Sequence, residues 1–169
     1  NGLQYPTALF GVLFAGAVVV NVNPLYTPRE LHHQLKDSGA IAIVVMDMFA
    51  RTLEQAREGT QVRHVVVTSM GDMMPGLKGV AVSAMMRHMQ KLVPAYRLPG
   101  AHRWKPMMRR ARRLTLKPVE TKPEDIAFLQ YTGGTSGVDK GAMLTHRNIL
   151  ANTLQGRAWV LDQIDQGEV

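Results

Sequence analysis

Two β-branched runs, Ile41–Val45 and His64–Thr68, flank a segment patterned as a helix, Met48–Glu58. Short apolar runs without polar alternation suit strands covered on both faces. A strand, a helix and a strand in succession imply a crossover, and crossovers join parallel strands. The chain is therefore read as α/β, a mostly parallel sheet flanked by helices. Upstream, Thr27-Pro28-Arg29-Glu30 opens a further helix: Thr27 caps, Pro28 fits the first turn, and Glu30 completes a capping box. That helix should stop at Ser38-Gly39, since glycine commonly follows a helix end.

At 169 residues the chain can bury one real core. It opens at Asn1 without an initiator Met, inside an apolar stretch, and closes at Glu168-Val169 soon after a helical run, so both ends read as cut. Residues 1–28 carry no charge, which raises the question of a membrane span. A span needs ~20 apolar residues. Here Gly11 and Gly16 interrupt the run and Asn21, Asn23 and Pro24 close it. A buried helix over Thr7–Ala15, turning at Gly16 into a buried strand Val18–Val22, is expected instead. The absence of cysteine excludes disulfides, cysteine-ligated zinc and a cysteine nucleophile, and fits a reducing compartment. The 11 Met residues gather mostly at 46–48, 70–74, 85–89 and 107–108, where they serve either as gap-filler in a core or as an adaptable wall for a greasy ligand.

The net charge of +7 comes from one segment. Between Met73 and Val119 there are 11 Lys/Arg and no Asp or Glu, whereas the rest of the chain has 9 Lys/Arg against 13 Asp/Glu. Within this segment Met70–Gly79 reads as loop. Ser83 reads as the cap of a helix that lines up Ala84, Met85, Met86, Met89, Leu92 and Val93 on one face and ends at Pro94. Three uses compete for such a stretch: a solvated charged face, contact with an anionic membrane surface over 84–117, and nucleic-acid binding. Only Tyr96 and Trp104 offer aromatic rings near the charges, and no nucleic-acid-binding motif is present, so no nucleic acid is expected.

After a turn at Thr121–Asp125 and a strand at Ile126–Tyr131 comes Tyr131-Thr132-Gly133-Gly134-Thr135-Ser136-Gly137-Val138-Asp139-Lys140-Gly141. Four glycines, three aliphatic hydroxyls and one Lys fall within 11 residues. Glycines let backbone N–H groups converge on an anion, hydroxyls add donors, and the ammonium adds a point charge. The composition suits phosphate; it also suits a glycine-rich hairpin with no ligand. The P-loop pattern of common NTPases does not fit, because Lys140 follows Asp139 and precedes Gly141, and Ala142–Leu144 intervenes before the next helix, Arg147–Gln155. The dinucleotide pattern GxGxxG is absent as well.

The order Tyr-Thr-Gly-Gly-Thr-Ser-Gly-x-x-Lys-Gly over 131–141, followed by Ala-Met-Leu-Thr-His-Arg-Asn, resembles the phosphate-loop signature of the adenylate-forming family. That family includes acyl-CoA synthetases, luciferases and the adenylation domains of peptide synthetases. Gly16-Ala17-Val18, Asn23–Leu31 and Asp37–Ala40 are similar to the early segment of long-chain fatty-acyl-CoA synthetases, and Leu92–Tyr96 is similar to the end of a basic insertion in the bacterial enzymes. The likeness is strong in 16–40 and 126–152 and looser in 70–120. Asp139 departs from the Pro or Ala usual before the lysine, and Ser136 stands where Thr is common.

The resemblance implies part of a large N-terminal AMP-binding domain over 1–169, with a basic helical insertion at about 73–119 and the phosphate loop at 131–141. The C-terminal domain, its catalytic Lys, the glutamate metal segment and the ribose-binding Asp are not among these residues, so the isolated chain is expected not to complete the reaction. It implies ATP, Mg²⁺ and CoA, with Thr132, Gly133, Gly134, Thr135, Ser136, Gly137 and Lys140 at the ATP phosphates. His146 is either a packing or capping residue at the next helix or a group at the site. Expected partners are fatty acid and CoA as substrates, a membrane surface along 84–117, and a second copy in a homodimer. The expected location is the cytoplasm, including the inner face of the membrane. The competing functions are another adenylating ligase (medium-chain, aryl or amino acid) and a non-enzymatic basic membrane-binding module.

Overall fold

A computed structural model describes residues 2–89, 91–117, 119–132 and 140–165, without the side chains of 162–165. Its contacts divide the chain into two units, residues 1–11 with 22–117, and residues 12–21 with 118–169.

The first unit is an α/β arrangement around a parallel three-stranded sheet. Helix α2 (Pro28–Ser38) begins at the Thr27 cap: the Thr27 N–H and hydroxyl donate to Glu30 Oε2 at 2.8 and 2.7 Å, and the Glu30 N–H returns a bond to Thr27 Oγ1 at 3.4 Å. Gly39 ends the helix in the left-handed region at φ 62°, as the sequence demands. Strands β2 (Ala42–Met46), β3 (His64–Thr68) and β4 (His102–Arg103) pair in that order, all parallel, with Ala42 opposite His64 and Val66 opposite His102. A 3₁₀ turn, Asp47–Phe49, leads into α3 (Ala50–Ala56). Leu31 and Leu35 of α2, Leu53 and Ala56 of α3, and Val62, Val65 and Val67 form the core. The His32 imidazole donates from Nδ1 to Ala56 O at 2.9 Å and ties the middle of α2 to the last residue of α3.

Replacing Thr27 with Ala removes the two hydroxyl bonds of the capping box, leaves the backbone N–H bond to Glu30, and should cost about 1 kcal/mol, read as a lower Tm. The Thr27 hydroxyl, and then its backbone N–H, hold the Glu30 carboxyl below its ordinary pKa. A lowered pKa gives stability in full above the ordinary carboxylate pKa, lost as pH falls through the lowered one. The Tm difference between parent and T27A should therefore narrow in acid.

Four expectations are corrected here. Ile41–Val45 was to be covered on both faces, but β2 is an edge strand and Ile41 and Val44 are exposed. Thr7–Ala15 was to be a buried helix; α1 instead spans Gln4–Phe14, and Phe10 and Phe14 stand exposed because no described residue covers that side. Met70–Gly79 is not loop. It holds a 3₁₀ turn, Met70–Met73, and the start of α4 (Gly76–Ala84), which closes through one π-turn, Met85–Met89. Ser83 is therefore inside a helix rather than capping one, and Leu92-Val93 lies beyond it. The chain reverses at Lys91, which adopts φ 50°, and the Leu92 N–H bonds back to Met86 O at 3.0 Å, so the stop comes before Pro94. Tertiary docking explains the early start: Gly76 and Gly79 weaken α4 as an isolated helix, but Gly79 lets its backbone approach the 3₁₀ turn closely.

The basic segment is woven into the sheet rather than appended to it, since β4 pairs with β3 and leads directly into α5 (Trp104–Ala111). Two buried or half-buried carboxylates at the ends of β2 and β3 hold it. Asp47 Oδ2 accepts from Ser69 Oγ at 2.6 Å and meets Arg87 Nη2 at 3.5 Å. Asp72 Oδ2 accepts from the Ser69 N–H at 2.8 Å and Thr68 Oγ1 at 3.1 Å, while its Oδ1 lies 4.0 Å from Lys105 Nζ.

The second unit contains a second three-stranded sheet, so the strands form two sheets where one was expected. Strand β1 (Val19–Asn21) runs parallel to β5 (Ile126–Thr132), and β6 (Lys140–Thr145) returns antiparallel to β5. Before β1, Gly16 turns the chain at φ 68°, and a Cβ there would lie 2.5 Å from Val119 Cγ1, so no other residue fits. The last helix, α6 (His146–Asp165), is longer than the Arg147–Gln155 expected. Among the described residues no helix is long and apolar enough to cross a membrane.

Candidate functional site

The parallel pair β1–β5 has the register Val19↔Phe128, Val20↔Leu129, Asn21↔Gln130, so both strands end on one edge. In open α/β sheets the carboxyl ends of parallel strands are where ligands bind. The Asn21 side chain ties that edge by donating from Nδ2 to Gln130 Oε1 at 3.0 Å. Strand β5 ends there at Thr132.

Thr132 and Lys140 are opposite one another, the last ladder pair before the chain turns between β5 and β6, and both are exposed. The hydroxyl and the ammonium of the candidate loop thus leave the sheet from adjacent positions on one edge. One is a donor able to reach an anion and the other a compact cation. Gly133, Gly134, Thr135, Ser136 and Gly137, together with Asp139, lie outside the described residues.

The next ladder pair, Tyr131↔Gly141, explains a glycine the phosphate argument had left to conformational freedom. Tyr131 is buried, and a Cβ on Gly141 would sit 3.0 Å from its Cζ and 3.1 Å from its Cε2. The ring lies across the bare backbone of Gly141. A Gly141→Val substitution should push the ring aside and tilt Lys140 with it. A loss of about 1–3 kcal/mol of stability is expected, read as a lower Tm.

Strand β6 runs into α6 through Thr145, whose hydroxyl accepts from the Asn148 N–H at 3.2 Å, while Asn148 Oδ1 accepts from the Thr145 N–H at 3.0 Å and hydroxyl at 2.8 Å. His146 is the first residue of α6, half-buried, and its N–H donates to Asp125 O at 3.0 Å. The Arg147 N–H donates to Pro123 O at 2.9 Å, and its guanidinium pairs with Glu124. The main chain of His146 thus joins the helix start to the turn before β5. Sequence reasoning missed this clasp, although the spacing Thr145-x-x-Asn148 is a legible cap signal.

Among the described residues no three His, Asp or Glu side chains come together in a way that could hold a metal ion.

Comparison with known proteins completes the picture. The family described as AMP-binding enzyme matches residues 1–168. A long-chain-fatty-acid–CoA ligase of Salmonella typhimurium is 55% identical over 158 residues, which cover 94% of this chain and 28% of that protein. A ligase of the same description from Bacillus subtilis is 38% identical over 96% of this chain and 29% of its own length. The chain thus spans less than a third of these relatives. Among solved structures, a long-chain-fatty-acid-CoA ligase from Archaeoglobus fulgidus is 29% identical, with a TM-score of 0.61 over 92% of this chain and 25% of that one. The A domain of a carboxylic acid reductase from Segniliparus rugosus, solved with AMP and a co-purified carboxylic acid, is 18% identical with a TM-score of 0.62 over 88% of this chain and 23% of that one, a likeness of fold alone.

Proposed function

Because the chain belongs to the AMP-binding enzyme family, we propose that it forms part of an ATP-dependent long-chain fatty-acid–CoA ligase and carries that enzyme's phosphate-binding edge. The identity of 55% to a long-chain-fatty-acid–CoA ligase over 94% of the chain carries this reading. In such an enzyme a carboxylate attacks the α-phosphate of ATP, the bond to the β-phosphate breaks, and pyrophosphate leaves. The thiolate of CoA then attacks the acyl carbon and displaces AMP.

The residues of the edge have distinct tasks. By the motif, the hydroxyls of Thr132, Thr135 and Ser136 and the backbone N–H groups of Gly133, Gly134 and Gly137 are the donors assigned to the phosphate oxygens. Lys140 stands closest to the departing pyrophosphate, where negative charge grows in the transition state. The main chain of His146 belongs to the frame through its bond to Asp125, and its imidazole is kept as a further candidate at the site. Mg²⁺ would enter with the triphosphate and offset its charge; among the described residues no three acidic or histidine side chains gather to hold it.

A panel of acids tests the reading. Full-length protein, ATP and one acid at a time are assayed for pyrophosphate release, and CoA is then added. Release is expected with long-chain fatty acids, with acyl-CoA formed on adding CoA. Release with only aryl or amino acids would move the protein to another branch of the family, and no release with any acid would overturn the reading.

A further inference from the structure

The basic segment divides into an anchored part and an unanchored part. Arg87 and Lys105 pair with Asp47 and Asp72, and Trp104 at the head of α5 is only 3% exposed. Beyond that anchor, Arg109, Arg110, Arg112, Arg113 and Lys117 are all exposed, and none forms an ion pair among the described residues. The stretch 73–119 holds no acid that could neutralise them. Two large apolar side chains stand among these charges, Leu114 and Leu116, which are 76% and 63% exposed. The Arg112, Arg113 and Leu114 N–H groups bond back to Met108, Arg110 and Ala111, so the helix end is a formed turn carrying this run.

Unpaired guanidinium groups beside exposed leucines match a surface with fixed negative charge above a hydrocarbon layer. Single-stranded nucleic acid would need rings on which bases can stack. The two aromatics near the charges are not available for that, since Trp104 is buried and Tyr96 packs against the core. We propose that Arg109–Lys117 is a docking surface for an anionic lipid bilayer, with the arginines at the level of the lipid phosphates and Leu114 and Leu116 entering the boundary with the acyl chains. This narrows the membrane contact expected over 84–117 to residues 109–117. Residues 87–105 instead hold the surface in place. The inference does not depend on the ligase reading, because vesicle binding needs no turnover.

The test is co-sedimentation of full-length protein with phosphatidylcholine vesicles, with and without phosphatidylglycerol. Binding is expected only when phosphatidylglycerol is present, weakening as salt rises. Each basic group near such a surface contributes roughly fivefold to partitioning, so R109Q/R110Q/R112Q/R113Q together should lower it by at least about tenfold. L114S/L116S should lower it severalfold at unchanged charge. Circular dichroism melts check the fold, and K117Q with the leucine pair carries the test if the arginine variant unfolds. Equal binding to neutral vesicles, or full binding by both variants, would overturn the proposal. So would single-stranded RNA displacing the protein from the vesicles through the same arginines. Pyrophosphate release with detergent-dispersed fatty acid should be unchanged in the arginine variant, which separates failure here from failure of the ligase reading.

Discussion

Replacing Lys140 with Ala should lower kcat/KM for ATP by about 100- to 1000-fold in the full-length protein, the range seen when one preorganised charge or donor is taken from a developing anion. Lys140 opens β6 opposite Thr132, is exposed, and makes no ion pair among the described residues. Its removal therefore breaks no packing, and stability should change by no more than about 0.5 kcal/mol. That combination separates a chemical role from a structural one. K140R keeps the charge on a longer, planar head, so it should recover only part of the rate. The measurement is pyrophosphate release at varied ATP, with a melt of each variant beside it. A K140A protein with near-normal kcat/KM would remove the lysine from the phosphate site.

Replacing Gly71 with Ala should do the opposite, damaging the fold first. A Cβ on Gly71 would lie 2.0 Å from Gly79 O and 2.7 Å from Ser83 Oγ, and a Cβ on Gly79 would lie 2.3 Å from Gly71 O. The contact is backbone against backbone, so no rotamer change relieves it. Either the 3₁₀ turn or α4 must shift. The turn contains Asp72, whose carboxylate gathers Thr68, Ser69 and Lys105, so the shift would strain that network too. The expected cost is about 3 kcal/mol, which corresponds to a Tm lower by roughly 6–12 °C in a domain of this size. G79A should give a loss of the same order. A melt within 2 °C of the parent, using about 1 kcal/mol per 2–4 °C, would show that the turn and helix can part without penalty.

These two glycines also show where the sequence was silent. The Thr27 cap, the Gly39 stop, the strand His64–Thr68 and the turn at Gly16 were legible because each depends on its own neighbours in the chain. Helix α4 was not, because Gly76 and Gly79 are poor helix formers, and the close contact that favours glycine at 79 is with a turn several residues earlier. The edge position of β2 was hidden for a related reason: a β-branched run reports strand tendency and says nothing about how many neighbours the strand acquires. At the candidate site, Thr132 and Lys140 were read from the motif, and the ladder places them opposite each other. Gly133–Gly137 lie outside the described residues and rest on the motif alone. The packing of Tyr131 on Gly141 could not be read from the motif, because a glycine in a phosphate-type loop invites a conformational explanation before a steric one.

The clasp between the turn at 123–125 and the start of α6 has a mechanical consequence. Asp125 O and Pro123 O receive the His146 and Arg147 N–H groups, and the Glu124–Arg147 pair reinforces them from outside. The base of β5 is thereby fastened to the head of α6, with β6 already laddered to β5. A pull on the helix is transmitted to both strands together, without first peeling β6 from its neighbour. Strands β5 and β6 and the first turn of α6 should travel as a single lever, with Thr132 and Lys140 at its far end.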